Sequence, residues 1–182
     1  NKYPNDYDNY IYLGELCFLN EQDEEAISIW KSSIEKFKNQ RPFYRLMLST
    51  YFRLNLDNEI KFLLKTGREQ FGKSFLSYEL GTYYQSKSNF DKAMDQFLIN
   101  LLNDTHQNTI VERRILMMSD DETSTSIIED KLVKSAEKNS NLALKLLSEF
   151  YFKQQKYKKA YDTKLEWSNH VENSINSWFR FA

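Results

Sequence analysis

The residues able to do chemistry are few in this chain, and their spacing argues against a reaction. His106 and His170 are the two histidines and Cys17 the single cysteine. Two distant imidazoles and one thiol exclude a zinc site of ordinary ligand spacing, and one cysteine excludes an intrachain disulfide. Cys17 reads as a small buried hydrophobe. The glycines are Gly14, Gly67, Gly72 and Gly81. The Gly67–Gly72 pair comes nearest to a phosphate-cradling loop, but neither its spacing nor the residues after it fit one. Asp120-Asp121-Glu122 would attract a hard cation, yet it lacks the alternating oxygen ligands and the glycine of a calcium loop. It reads as a turn into a helix, with Glu122, Thr123 and Ser124 at the helix start. Asn103-Asp104-Thr105 matches a glycosylation triplet, a pattern of little weight in an Asn-rich chain. No catalytic, cofactor-binding or metal-ligating residue is expected, and the chemistry left is recognition.

The elements that would position recognition residues are legible as a repeat. Gly14, Leu48, Gly81, Ile115, Ser148 and Ala182 follow one another at steps of 34, 33, 34, 33 and 34. Twelve places after each of the first five anchors come Ala26, Ile60, Ala93, Ile127 and Ala160. Two registers held over five periods mean a stack of like supersecondary units rather than one wound domain. Each period divides into two amphipathic segments around a polar turn. In the first, Tyr10, Leu13, Gly14 and Cys17 share a face, Asn20 to Asp23 interrupt, and Ala26, Ile27, Trp30 and Ile34 begin a second face. Ala160 and Leu165 are read the same way in the fifth. Gly, Ala and Ser in the recurring slots let two helix backbones cross closely while aromatic rings fill the grooves around them.

With these residues the chain resembles the tetratricopeptide repeat family. Tyr10, Leu13, Gly14, Ala26 and Trp30 match its pattern in repeat 1, and Leu80, Gly81, Tyr84, Ala93 and Phe97 match it in repeat 3. Asn89 to Ala93 and Lys156 to Ala160 look like the start of its second helix. Repeat 4 fits poorly: Arg114 stands where Leu is expected, and it is read as a divergent repeat rather than one whose register slips. The resemblance implies an all-α fold, a right-handed α-α superhelix of five helix pairs, with repeats near 7–40, 41–73, 74–107, 108–140 and 141–174. Residues 175–182 would begin a sixth. Pro4 sits where a preceding repeat would close, and Trp178, Phe179 and Phe181 make an apolar end, so the chain reads as part of a longer array. Helices are expected at 7–20, 23–37, 41–54, 57–71, 74–87, 90–103, 108–119, 123–138, 141–154 and 157–171.

Composition agrees. The chain is 41% apolar and 15% aromatic, enough for a continuous core, and its two prolines leave few breakers. No segment is apolar enough to span a bilayer. The net charge of −1 gives no drive toward nucleic acid or anionic membrane. Charge is nonetheless blocked: residues 1–40 carry 4 basic and 8 acidic side chains, whereas 141–182 carry 7 and 4. Such blocks read mainly as solvated helix faces. Lys153, Lys156, Lys158 and Lys159 form a local basic cluster without base-reading aromatics.

The resemblance implies a concave surface lined by the first helix of each pair, and a protein or peptide partner on it. The residues expected there are Phe18, Arg45, Phe52, Arg53, Phe75, Tyr78 and Phe152, rings and guanidinium groups of the kind that dominate binding energy. Members that clamp chaperone C-terminal carboxylates use basic or amide residues at positions corresponding to Ile11, Glu15, Phe75 and Glu79. The acids at Glu15 and Glu79 argue against that ligand. The leading function is thus a non-catalytic binding scaffold within an assembly. The alternative is an appendage of an enzyme whose catalytic domain lies elsewhere. Asn, Lys and Ile richness points to a bacterium.

Overall fold

A computed structural model describes residues 6–103, 108–138 and 140–171. Pro4, Asp104, Thr105, His106, Trp178, Phe179, Phe181 and Ala182 lie outside them. The described residues form ten helices and no strand. In order these are α1 (Tyr7–Leu19), α2 (Asp23–Lys36), α3 (Arg41–Leu54), α4 (Asp57–Phe71), α5 (Ser77–Ser86), α6 (Phe90–Asn103), α7 (Asn108–Met118), α8 (Glu122–Ala136), α9 (Asn141–Lys153) and α10 (Tyr157–Asn169). The chain divides between Leu76 and Ser77 into two compact units. In the first, α1 packs on α2 and α3, and α3 on α4. In the second, α5 packs on α6, α6 on α7 and α8, α9 on α7 and α8, and α10 on α9.

The turn within each pair sets the period. Glu21, Asn55, Ser88 and Gln155, each seven places after its anchor, adopt the left-handed conformation, with φ between 54° and 61°. The following amide then donates back to a carbonyl of the preceding helix: Gln22 to Cys17 at 2.9 Å, Leu56 to Tyr51 at 3.0 Å, Asn89 to Tyr84 at 2.9 Å and Lys156 to Tyr151 at 2.9 Å. This bond satisfies an orphan helix-end carbonyl and fixes where the second helix starts.

The small slots are crossing points. Gly14 lies under the fully buried Trp30, and a Cβ there would sit 2.6 Å from the indole Cε2. Trp30 Nε1 donates to the Ile11 carbonyl at 3.2 Å, so the ring has no freedom to retreat. Gly81 meets Phe97 in the same way, at 2.5 Å from the ring.

Four expectations change. The helix α5 begins at Ser77 instead of near 74, because Gly72 at φ 99° and Leu76 at φ 61° take residues 72–76 into a turn. In repeat 4 the second-helix slot is Ser124, fully buried, one helical turn before the half-buried Ile127; the register does slip. The cause is a turn without a left-handed residue: Asp121 caps α8 directly, accepting from Thr123 N at 2.9 Å, and Ser124 Oγ donates to the Met118 carbonyl at 2.7 Å. Leu13 and Leu165 do not face a core; they are 50% and 44% exposed.

Candidate functional site

Recognition residues were expected on the first helices, so the charge balance of those helices comes first. Glu15 on α1 is buried, 8% exposed. It accepts from Thr50 Oγ1 at 3.0 Å and pairs with Arg53, both on α3. Glu112 on α7 is equally buried, and Lys145 on α9 binds both its oxygens, at 2.9 and 3.1 Å. In each unit, then, an acid from one first helix is satisfied by a base from the next. A carboxylate taken out of water needs this partner, since an unpaired one would cost several kcal/mol.

Second helices repeat the device. Lys131 on α8 reaches Asp95 at 2.6 Å and Asp91 at 3.0 Å on α6. Glu129 on α8 takes Lys156, the residue just before α10, at 2.5 Å and Lys159 of α10 at 3.0 Å. Partial burial pushes the Glu129 carboxyl up, but those two ammonium groups outweigh it and hold the group below the ordinary carboxylate range. Lys153 pairs with Asp120 at 2.7 Å. Three of the four lysines of the basic cluster are therefore engaged by acids of the same chain, which further weakens it as a polyanion site. The charge blocks noted in sequence are in part ladders between neighbouring repeats.

The rings fall into different environments. Phe18 on α1 and Phe52 on α3 occupy equivalent positions, both half-buried, with Phe18 backed by Trp30 at 6.1 Å between centroids. Arg45 is exposed, and the Arg53 side chain is 62% exposed even while it pairs with Glu15. Phe75 is different. It is 7% exposed and packs on Tyr44 and Phe71, at 5.7 and 4.6 Å, over Gly67. Its ring closes the core under the Gly72 turn and is not presented outward. In the second unit, Tyr78 is half-buried between Phe97 and the Arg114 guanidinium, which lies 5.9 Å from the ring centroid. Phe152 is 42% exposed and meets Tyr157 edge-on at 5.6 Å.

Sequence reasoning missed two partners in these contacts, Thr50 in the first unit and Arg114 in the second. Thr50 gave no signal, but Arg114 did: a basic residue in an apolar slot, here resolved as stacking on Tyr78. Among the described residues no three His, Cys, Asp or Glu side chains lie close enough to hold a metal ion. No described helix is long and apolar enough to cross a membrane.

No family model matches the chain, and no curated protein matches it. Solved structures similar to it include the following three. One, described as a functional characterization of Pseudomonas aeruginosa pilF, is 12% identical, covering 94% of this chain and 79% of that one at a TM-score of 0.42. MamA is 15% identical over 91% and 96%, at 0.41. PilW, a widely conserved type IV pilus biogenesis factor, is 11% identical over 93% and 80%, at 0.42. Scores at this level say nothing of what this chain binds. The chain's own geometry is more direct: a glycine of the first helix beneath an aromatic of the second, and a left-handed turn at a fixed distance, recurring along the sequence. The helix pairs are tetratricopeptide-like.

Proposed function

We propose that this chain is a non-catalytic scaffold that binds a protein or peptide partner through the first helices of its repeats, within a multiprotein assembly. Phe18, Arg45, Phe52, Arg53, Tyr78 and Phe152 are the residues assigned to that contact, with Phe75 withdrawn to the core. The observation that carries the reading is the equivalence of Phe18 and Phe52. Two rings at the same position of two packed helices are both left half-covered, beside an Arg whose charge is already oriented by Glu15. A half-buried ring is held still before binding, so little rotamer entropy is lost when a partner covers the rest.

The test is capture from the native organism with the wild-type chain and with a Phe18→Ala/Phe52→Ala double variant, each captured protein then being remeasured in purified form by calorimetry. The double variant should keep its helical circular dichroism and lose on the order of 2 kcal/mol or more of affinity. A folded double variant that binds every captured protein as tightly as wild type would remove the basis for this surface.

A further inference from the structure

Lysines outnumber arginines 18 to 7 in this chain, yet α3 carries three arginines and no lysine. Arg41, Arg45 and Arg53 are all exposed, and α3 has no acid. A helix face kept only for solvation mixes both signs one turn apart, as α4 does with Asp57, Lys61, Lys65 and Glu69. Arginine differs from lysine where a flat anion must be met squarely. Its guanidinium offers several N–H donors in a rigid fork that fits a carboxylate, whereas an ammonium is a hydrated point charge.

Neighbouring residues already orient two of these groups. The Arg41 guanidinium lies 5.0 Å from the Phe71 ring centroid and 5.6 Å from that of Phe75. Stacking on rings engages the face of a guanidinium, while its donors point outward in its own plane. Arg53 pairs with Glu15 through one nitrogen while its side chain stays 62% exposed. Of the acids of α1, Glu15 is buried beneath that pair, and Asp8 is part-buried in the first turn, where the helix dipole favours it. An approaching charge therefore meets guanidinium before carboxylate. At about 100° per residue, Arg41, Arg45 and Phe52 lie within about 40° of one another on α3. The half-buried ring is thus in line with the charges.

We propose that this face of α3 binds an extended acidic segment of a partner protein, one apolar side chain of that segment resting against Phe52. The proposal rests on the reading that first helices carry the contact, and it names the chemistry they select. Arg41 and Arg45 are about 6 Å apart along the helix axis, and Arg45 and Arg53 about 12 Å. An extended chain rises about 3.3 Å per residue, so its acids should stand about two and about four residues apart. Charge-assisted pairs at that spacing fix register, and burial against the ring adds attraction. A nucleic acid suits the face less well, because a net charge of −1 gives no field to hold a phosphate backbone.

Selection from a random peptide library displayed on phage, with the 182-residue chain as bait, tests this. Enriched peptides should be acidic, with Asp or Glu at that spacing beside a large apolar residue. Their synthetic forms should bind Arg41→Gln/Arg45→Gln about five- to thirtyfold more weakly than wild type, and binding should weaken as salt rises. Both side chains are exposed, so the variant should keep the wild-type helical spectrum. Should it not fold, the salt series on the wild-type chain decides. Enriched peptides that are neutral or basic, or that bind the arginine variant as tightly as wild type, overturn the proposal. If those same peptides are lost in Phe18→Ala/Phe52→Ala, the first-helix reading stands and only the acidic partner falls. A selection that enriches no peptide dependent on either pair of residues removes both. Tighter arginine-dependent binding of a single-stranded oligo(U) than of any acidic peptide overturns the proposal in favour of a nucleic acid.

Discussion

Glu15 and Tyr44 show how far a residue's surroundings depart from what its type suggests. Glu15 stands on the helix expected to face a ligand, yet its carboxylate is buried and committed to Thr50 and Arg53. That pairing, like Glu112 with Lys145, joins residues more than thirty positions apart, which no local pattern announces. The signal that was available is periodic: opposite charges one repeat apart on first helices. Tyr44 is fully buried, and its hydroxyl has no hydrogen-bond partner. Its phenol is pushed up to about 12, by burial first and by the Glu35 carboxylate second. An unfolded tyrosine loses its proton near 10. Below that pH the phenol is neutral in both states and does not make stability depend on pH. Between about 10 and 12 the unfolded chain has released the proton and the folded chain still holds it, so stability falls as pH rises. Tyr44→Phe should be neutral or slightly stabilising at pH 7, because it removes an unsatisfied hydroxyl. In urea melts at about pH 11 it should retain about 1 kcal/mol more than wild type. Parallel losses in both proteins across that range would show that Tyr44 takes no part.

At the scale of the element, the within-pair turns explain both what could be read and what could not. Four of the five helix pairs share the left-handed residue and its back-bond, and there the second helices start, and their recurring slots fall, where the periodicity puts them. Repeat 4 lacks that turn, and its slot moves from Ile127 to Ser124. The Asp121 cap was visible in sequence as a helix start, but the consequence for register was not, because a cap fixes where a helix begins and not which face it buries. The left-handed residues are Glu, Asn, Ser and Gln, all of which carry a Cβ that crowds this conformation. Gln155→Gly should therefore stabilise the α9–α10 pair by about 0.5–1 kcal/mol. The same change at Asp162, exposed in the body of α10, should go the other way by up to about 0.5 kcal/mol. Thermal melts of the two variants beside wild type check the signs. Two shifts in the same direction would mean that the Gln155 conformation is not what limits this turn.

For the whole molecule, stability in a repeat protein is a sum of local terms, each unit leaning on its neighbours. The two compact units here have their own aromatic cores: Trp30, Phe43, Tyr44 and Tyr51 in the first, Phe97, Phe150 and Tyr151 in the second. Periodicity made the repeats legible, since it records what each helix pair must satisfy. It carried no mark of the division between Leu76 and Ser77, because the Gly72–Leu76 turn preserves the period while ending one core with Phe75 and Leu76. A lesion confined to one core tests whether the units are energetically separate. Gly14→Ala puts a methyl into the Trp30 indole, which cannot withdraw without losing its bond to Ile11; overpacking of this kind costs about 1–3 kcal/mol. Native-state hydrogen exchange then locates the cost. Amides of α1, α2 and α3 should exchange faster by up to about a hundredfold, as a 1–3 kcal/mol loss requires, while those of α8 and α9 keep wild-type protection. Gly81→Ala, which drives a methyl into Phe97, should reverse the pattern. Equal loss of protection in both units from either variant would show a single all-or-none fold, in which the boundary between the cores has no energetic meaning.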